Sequence, residues 1–240
     1  MIAFVLAAGL GTRFRPATLT TPKPLLPLAG RPMLFHLLDH LLSQGADRFV
    51  LNAHHLPGAL REAVGEQYGG IPVAWSFEDP ILGTAGAIRC AAERGLLGDG
   101  PFVVANGDLY TTLPLGHLLH ARQEDGVVSA LAVLPNDRPD VDTPLWADAR
   151  GRLLAVGGSK PESDATGPWL FTGLQAARRE LVGRIPPGVS ELARHVLVPS
   201  AAKRDGAFAL VPYRVPGDGL WFDLGTPERL AAAEAALRAS

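Results

Sequence analysis

Gly9 and Gly11 flank a single leucine, and Arg13, Arg15, Lys23 and Arg31 follow them with no Asp or Glu anywhere up to position 38. Glycines at that spacing permit a tight turn that exposes backbone amides, and such a turn cradles phosphate oxygens through its N–H groups. Lys23 sits rigidly between Pro22 and Pro24, and with the arginines it makes a local cationic pole that suits a polyanion such as a triphosphate. Two other phosphate loops fail on inspection. A dinucleotide fingerprint requires a third glycine where Phe14 stands and an acidic residue near position 30, and the chain has neither. A P-loop requires Gly-Lys-Ser or Gly-Lys-Thr, whereas the order here is Gly11-Thr12-Arg13.

Two carboxylates stand against apolar runs: Asp108 ends the run 102–107, and Asp223 lies inside 220–224. A carboxylate at the edge of an apolar strand is costly unless it is paired or metal-bound. An Asn-Gly-Asp turn would also account for Asp108, and a salt bridge or a cap on the last helix for Asp223. His36 and His40 share i,i+4 spacing but no third metal ligand follows them, and the adjacent His54 and His55 are poorly placed to chelate one ion. Satisfied or exposed histidines are the simpler expectation. With no Gly-x-Ser-x-Gly elbow either, a hydrolase has little support.

Short apolar runs at 2–7, 49–53, 73–77, 102–105 and 128–134, each bounded by Gly, Pro, Asn or Asp, read as buried strands. Between them residues 32–44 place Leu34, Leu37, Leu38, Leu41 and Leu42 at helical spacing, with Gly45 as a stop. Residues 56–67, 84–94 and 114–124 are weaker helices. This alternation predicts right-handed βαβ units and an α/β fold whose mostly parallel sheet is covered on both faces. Ligands of such a sheet sit beyond the carboxyl ends of its strands, where the glycine loop and Asp108 fall. After about residue 134 the elements shorten and Pro and Gly become frequent, up to a strand at 220–224 and an Ala-rich helix at 227–238. The expectation is one domain over 1–240, nucleotide-binding to about 134 and acceptor-recognising beyond it.

The 240 residues are 47% hydrophobic and 19% charged, which excludes disorder. Lys plus Arg total 22 against 24 acidic residues, and the resulting net charge of −2 removes the electrostatic case for a nucleic-acid or membrane-surface binder. Cys90 is the only cysteine, so neither an intrachain disulfide nor a Cys-rich zinc site can form. No apolar run approaches the roughly 18 residues of a membrane span, and the start lacks the basic region of a signal peptide. A cytoplasmic setting is expected.

The runs LAAGLGTRFRP and TPKPLLPLAGRPM, followed by Leu82-Gly83-Thr84-Ala85-Gly86-Ala87, Asn106-Gly107-Asp108, Thr172-Gly173 and Trp221-Phe222-Asp223-Leu224-Gly225-Thr226, resemble the sugar-1-phosphate nucleotidyltransferases. The likeness runs in order from residue 3 to 226 and rests chiefly on its first motif. It implies a Rossmann-like nucleotidyltransferase fold in three layers, Mg²⁺ dependence, and transfer of a nucleoside monophosphate from an NTP to a sugar 1-phosphate with release of pyrophosphate. Catalysis then falls to Lys23, holding the α-phosphate and the incoming sugar phosphate, and to Arg13, forking onto the leaving oxygens. Leu6, Ala7, Ala8, Gly9, Gly11 and Thr12 join them around the nucleotide, with Gly83, Thr84, Ala85 and Gly86 at the base. The two metal-binding aspartates are Asp108 and Asp223. Asn52, Asn106, Lys160, Thr172 and Gly173 are the sugar-side candidates, Glu78 belongs to either site, and Glu191 is a further, weaker candidate.

The chain departs from the family where a Glu-Lys-Pro grips sugar hydroxyls, because Gly158-Ser159-Lys160-Pro161 lacks the carboxylate. It is similar to a minimal catalytic unit of two short types: bacterial uridylyltransferases acting on N-acetylmuramate 1-phosphate in cell-wall recycling, and guanylyltransferases of mannose or heptose 1-phosphate. The LGTAGAI stretch favours the second, the size and the missing carboxylate the first. The partners expected are an NTP and a sugar 1-phosphate, with no nucleic acid and no membrane, on a monomer or small homo-oligomer. A catalytically silent sensor of nucleotide or sugar phosphate is the alternative, against which the intact Lys23, Asp108 and Asp223 count.

Overall fold

A computed structural model of the chain describes residues 1–162 and 164–239. Its strands, in chain order, are β1 (Ile2–Leu6), β2 (Pro27–Leu28), β3 (Arg31–Pro32), β4 (Arg48–Ala53), β5 (Gln67–Tyr68), β6 (Ile71–Phe77), β7 (Phe102–Asn106), β8 (Leu109–Thr111), β9 (Ser129–Pro135), β10 (Leu145–Ala147), β11 (Leu153–Val156), β12 (Thr166–Ala177), β13 (Phe208–Pro212) and β14 (Trp221–Asp223). The helices are α1 (Met33–Ser43), α2 (Pro57–Val64), α3 (Gly83–Glu93), α4 (Gly116–Ala121), α5 (Val198–Lys203) and α6 (Pro227–Ala239). The main sheet runs β11-β10-β12-β7-β1-β4-β6-β5, with β9 paired to β12 and β13. Its middle, β7-β1-β4-β6, is parallel, and the expected α/β architecture stands.

Strand alternation sorts the core into two layers. Ala3 and Val5 of β1 face one cluster with Leu34, Leu37, Leu38 and Leu41 of α1, Leu60 of α2 and Leu118 of α4. Phe4 faces the opposite cluster with Ala87, Ile88 and Ala91 of α3 and Leu181, Val196 and Leu197. The four α1 leucines are fully buried, each stabilising the fold by about 1.5–3 kcal/mol relative to an exposed position.

The second half is built differently. β12 inserts antiparallel to β7 on one side and β9 on the other, so the sheet is mixed. Its register against β9 shifts between Phe171 and Gln175, and Gly173 there has φ +84°, a left-handed conformation that favours glycine. The helix expected over 56–67 ends at Val64, because Gly65 (φ +79°) turns the chain into β5. That expected over 114–124 shortens to α4.

Candidate active site

β1 ends at Leu6, and the chain turns over the carboxyl edge of the sheet. Asn52, at the end of the neighbouring β4, accepts at Oδ1 from the amides of Ala7 (2.5 Å) and Ala8 (3.2 Å). Its Nδ2 donates to Glu78 Oε1 (2.7 Å), and Glu78 Oε2 accepts from the Leu82 amide (2.9 Å). Glu78 is only 5% exposed, so this carboxylate is stabilised by the hydrogen bonds it accepts. Asn52 and Glu78 thereby fasten the loop after β1 to the entry of α3.

Beyond Ala8 the loop is left open. The amides of Gly9, Leu10, Gly11 and Thr12 donate to no acceptor among the described residues. A Cβ on Gly9 would meet no protein atom within 4 Å, whereas one on Gly11 (φ +61°) would lie 2.8 Å from Thr18 Cγ2. Gly11 is thus required by the fold, and Gly9 is not. Thr18 Oγ1 donates to Gly11 O (2.8 Å), and His55 Nε2 donates to Thr18 O (2.7 Å). His54, His36 and His40 likewise donate to the backbone carbonyls of Glu78, Leu28 and Leu113. The histidines are satisfied structural groups.

Lys23 is buried, rides 5.4 Å above the Phe14 ring, and forms an ion pair from Nζ to Asp108 Oδ2. Arg13 is exposed and makes no ion pair among the described residues; its guanidinium nitrogens lie 3.5 Å from where a Gly225 Cβ would stand. Leu6, Ala7, Ala8, Gly9, Gly11, Thr12, Arg13, Lys23, Asn52, Glu78, Gly83, Thr84, Asn106, Asp108 and Glu191 all line one cavity of about 450 Å³. Free amides, a buried ammonium and a guanidinium without an ion pair among the described residues give that cavity the donors that phosphate oxygens require.

The start of α3 is closed from a distance. Ala85 and Gly86 amides donate to Ser190 O (2.9 and 3.0 Å), and the Ser190 amide donates to Leu82 O (2.8 Å). Thr84 Oγ1 donates to Glu191 Oε2 (2.9 Å) and accepts from the Leu192 amide (2.9 Å). A Cβ on Gly86 would meet Gly188 O at 2.6 Å, so the small residues here admit the segment around Ser190. Gly83 and Thr84 face the cavity; Ala85 and Gly86 are buried.

Asp108 and Asp223 are brought side by side by the antiparallel β8–β14 ladder, in which Asp223 faces Leu109 and the Leu224 amide donates to Asp108 O (2.9 Å). Asp223 accepts from the Gly225 amide at Oδ1 (2.7 Å) and forms an ion pair at Oδ2 with Arg229 of α6. Arg229 also reaches Asp142 (3.5 Å), which in turn pairs with Arg138 (3.0 Å). No group of three or more His, Cys, Asp or Glu side chains suited to a metal occurs among the described residues. Two carboxylates nevertheless suffice for a hard divalent cation that completes its shell with water and phosphate oxygens.

Two further cavities, each about 410 Å³, open on this side. Asn106 and Gly173 line both, and Asn106 also lines the first cavity. A Cβ on Gly173 would stand 2.7 Å from Asn106 Nδ2, so the left-handed glycine makes room for that amide. Thr172 is buried, donating from Oγ1 to Ala132 O (3.0 Å), while its carbonyl accepts from Trp221 Nε1 (2.9 Å). Lys160 is exposed and lines none of these cavities.

The nucleotidyl transferase family model matches residues 2–141. The chain belongs to this family. Mannose-1-phosphate guanylyltransferase of Mycobacterium tuberculosis is 29% identical over 98% of the chain and 64% of its own length. UTP–glucose-1-phosphate uridylyltransferase of Synechocystis is 29% identical over 94% and 60%. The chain therefore spans about three-fifths of the length of the curated relatives it matches. HddC from Yersinia pseudotuberculosis, solved in complex with GMP-PN, superposes with a TM-score of 0.78 at 22% identity over 98% of the chain and 99% of its own. A putative glucose-1-phosphate thymidylyltransferase from Bacillus anthracis gives 0.81 at 20% identity over 99% and 96%. The fold is that of the nucleotidyl transferases.

Within this nucleotidyl transferase the structure gathers the candidates of the first loop, Gly83, Thr84, Asn52, Asn106 and Asp108 around one cavity, and Asn106, Thr172, Gly173, Asp108 and Asp223 around another. Asn52, considered on the sugar side, lies beneath the first loop. Ser190, Asp142, Arg138 and Arg229 carried no signal in the sequence, because each works through a partner 40 or more positions away or sits in a segment read only as a loop or an Ala-rich helix.

Proposed function

We propose that the chain catalyses transfer of a nucleoside monophosphate from an NTP to a sugar 1-phosphate, releasing pyrophosphate. The observation that carries this reading is the position of Lys23: it is buried between a loop of unused amides and a pair of carboxylates, beside cavities that would take the acceptor. The attack of one phosphate on another joins two polyanions, so positioning and neutralisation are the main tasks. The Gly9–Thr12 amides cover the triphosphate, Arg13 holds the departing pyrophosphate oxygens, and Lys23 holds the α-phosphate in line with the incoming sugar phosphate. Asp108 and Asp223 would hold Mg²⁺, which neutralises phosphate oxygens when bound. Residues up to about 134 serve the nucleotide and those beyond serve the sugar, with Asn106 at their junction.

Glu78 favours a guanine base. Each of its carboxylate oxygens accepts one internal hydrogen bond and retains a lone pair, and guanine offers two adjacent donors where uracil offers one. Mannose-1-phosphate guanylyltransferases of several organisms are among the relatives and support the same choice. GTP with mannose or heptose 1-phosphate is therefore the first pair, UTP with N-acetylmuramate 1-phosphate the second. The cytoplasm is the expected setting, for a monomer or small homo-oligomer. No helix among the described residues is long and apolar enough to cross a membrane.

The test is pyrophosphate release with Mg²⁺ over a grid of five nucleoside triphosphates against mannose, heptose, glucose, glucosamine and muramate-type 1-phosphates. A GTP pair leading the grid supports the reading, and a UTP–muramate pair overturns the base assignment alone. No release from any pair, together with tight nucleotide binding, replaces the enzyme by the sensor.

A further inference from the structure

Two carboxylates brought together by a strand ladder repel one another unless something neutralises them. In this fold two of the chain's own cations do so, Lys23 on Asp108 and Arg229 on Asp223. A divalent cation entering between them would meet two carboxylates that each already hold a cation of the chain, so one of those cations gives way. Lys23 is the immobile one, being buried, set between Pro22 and Pro24 and stacked over Phe14. Arg229 differs in each respect. It stands in the first turn of α6, its side chain and that of Asp223 are each about one-third exposed, and it already has a second carboxylate within reach, Asp142 at 3.5 Å.

Asp142 is itself prepared for the role. Asn136 Nδ2 donates to Asp142 O (3.0 Å) and Asn136 Oδ1 accepts from the Arg138 amide (3.0 Å), which folds the loop so that Asp142 is turned toward α6. That loop also lines both acceptor cavities.

Building on the proposed metal role of Asp108 and Asp223, we propose that Arg229 is a resident counter-ion of Asp223 that yields its place to the divalent cation and passes to Asp142. Arg229 is then a positioning residue. It lowers affinity for metal in the free protein and, once displaced, strengthens its existing contact with Asp142, so that the acceptor-side loop is held to α6 more firmly with metal than without it. The exchange moves one guanidinium between two carboxylates, with no bond made or broken and no proton transferred.

The test is Mn²⁺ binding to the full chain without nucleotide, read from the signal of free Mn²⁺ by electron paramagnetic resonance. Wild type, R229Q, D142N and the double variant are compared, with melting curves confirming that each is folded. Removing a positive charge beside the site should tighten binding about tenfold in R229Q, while R229K stays near wild type. D142N should weaken binding about threefold in the wild-type background, because Arg229 loses its alternative partner, and have no effect on top of R229Q. Unchanged affinity in R229Q, or an equal D142N effect in both backgrounds, overturns the exchange while leaving the metal assignment intact. Binding that is absent in wild type, or insensitive to D108N and D223N, overturns the metal assignment and the exchange with it. An independent readout is amide exchange at 137–143: protection should rise on adding Mn²⁺ to wild type and stay flat in R229Q.

Discussion

The two sides of the site neutralise themselves in opposite ways. On the nucleotide side, Gly9 to Arg13 form one short stretch whose amides and guanidinium have no partner among the described residues, held from beneath by Asn52. On the acceptor side, Asp108, Asp142 and Asp223 come from three distant segments, and each is already paired with Lys23, Arg138 or Arg229. The first half is a set of donors whose arrangement is settled at folding; the second is a closed charge circuit that must be rearranged to work. Preorganised donors lose little on meeting a ligand, whereas exchanging ion pairs allows one ligand to change how the next is received.

This contrast can be broken at several points. The largest effect is expected from Lys23→Met, which removes the buried cation that links the loop's cavity to Asp108 and should lower turnover by about 10²–10³-fold in a pyrophosphate assay. A loss below tenfold would put the reacting centre elsewhere. Asn52→Ala comes next. It leaves two loop amides and the Glu78 carboxylate short of a partner, and should cost about 1–3 kcal/mol in denaturant unfolding. Arg138→Ala, cutting an exposed pair on the acceptor side, should cost about 0–1 kcal/mol in the same experiment, and a larger loss would mean that the acceptor circuit is as rigid as the loop. Gly9→Ala should leave the melting temperature unmoved, since no protein atom contests its Cβ, yet weaken triphosphate binding about tenfold by calorimetry. Unaltered binding would remove the amides from the phosphate site.

The smallest effect concerns His40, whose burial holds its imidazole below the ordinary value of 6.5 despite the carbonyl of Leu113. The unfolded chain therefore takes up this proton first as pH falls. Stability should decline as pH drops through about 6.5 toward the folded value and be unaffected by this group above it. His40→Gln should flatten that part of the curve by a few tenths of a kcal/mol.

What could be read in advance follows the same division. The β1 loop is contiguous, so Gly9, Gly11, Arg13 and Lys23 announce a phosphate receptor by type and spacing alone, and α1 announces itself by its leucines. β12 was hidden, because Gly167, Pro168 and Gly173 leave only Trp169, Leu170 and Phe171 as an apolar run, too short to announce a strand over Thr166–Ala177. Arg229 was hidden more deeply. Nothing in an Ala-rich helix distinguishes one arginine from its neighbour Arg238 until the β8–β14 ladder has set Asp223 in front of it. Asn52 shows the intermediate case, a polar residue at a strand end whose chemistry was visible but whose customer, the amides of Ala7 and Ala8, was not.

β7 carries a mechanical consequence. It is hydrogen-bonded along one edge to β1, which leads into the phosphate loop, and along the other to β12, which bears Thr172 and Gly173. The loop after β1 and the Thr172–Gly173 segment are thus welded to the same beam, and swinging one away from the other would tear a ladder. Rearrangement at this edge of the sheet then falls to the loops that cross it, and loop motions run over nanoseconds to microseconds rather than the longer periods of swinging lobes.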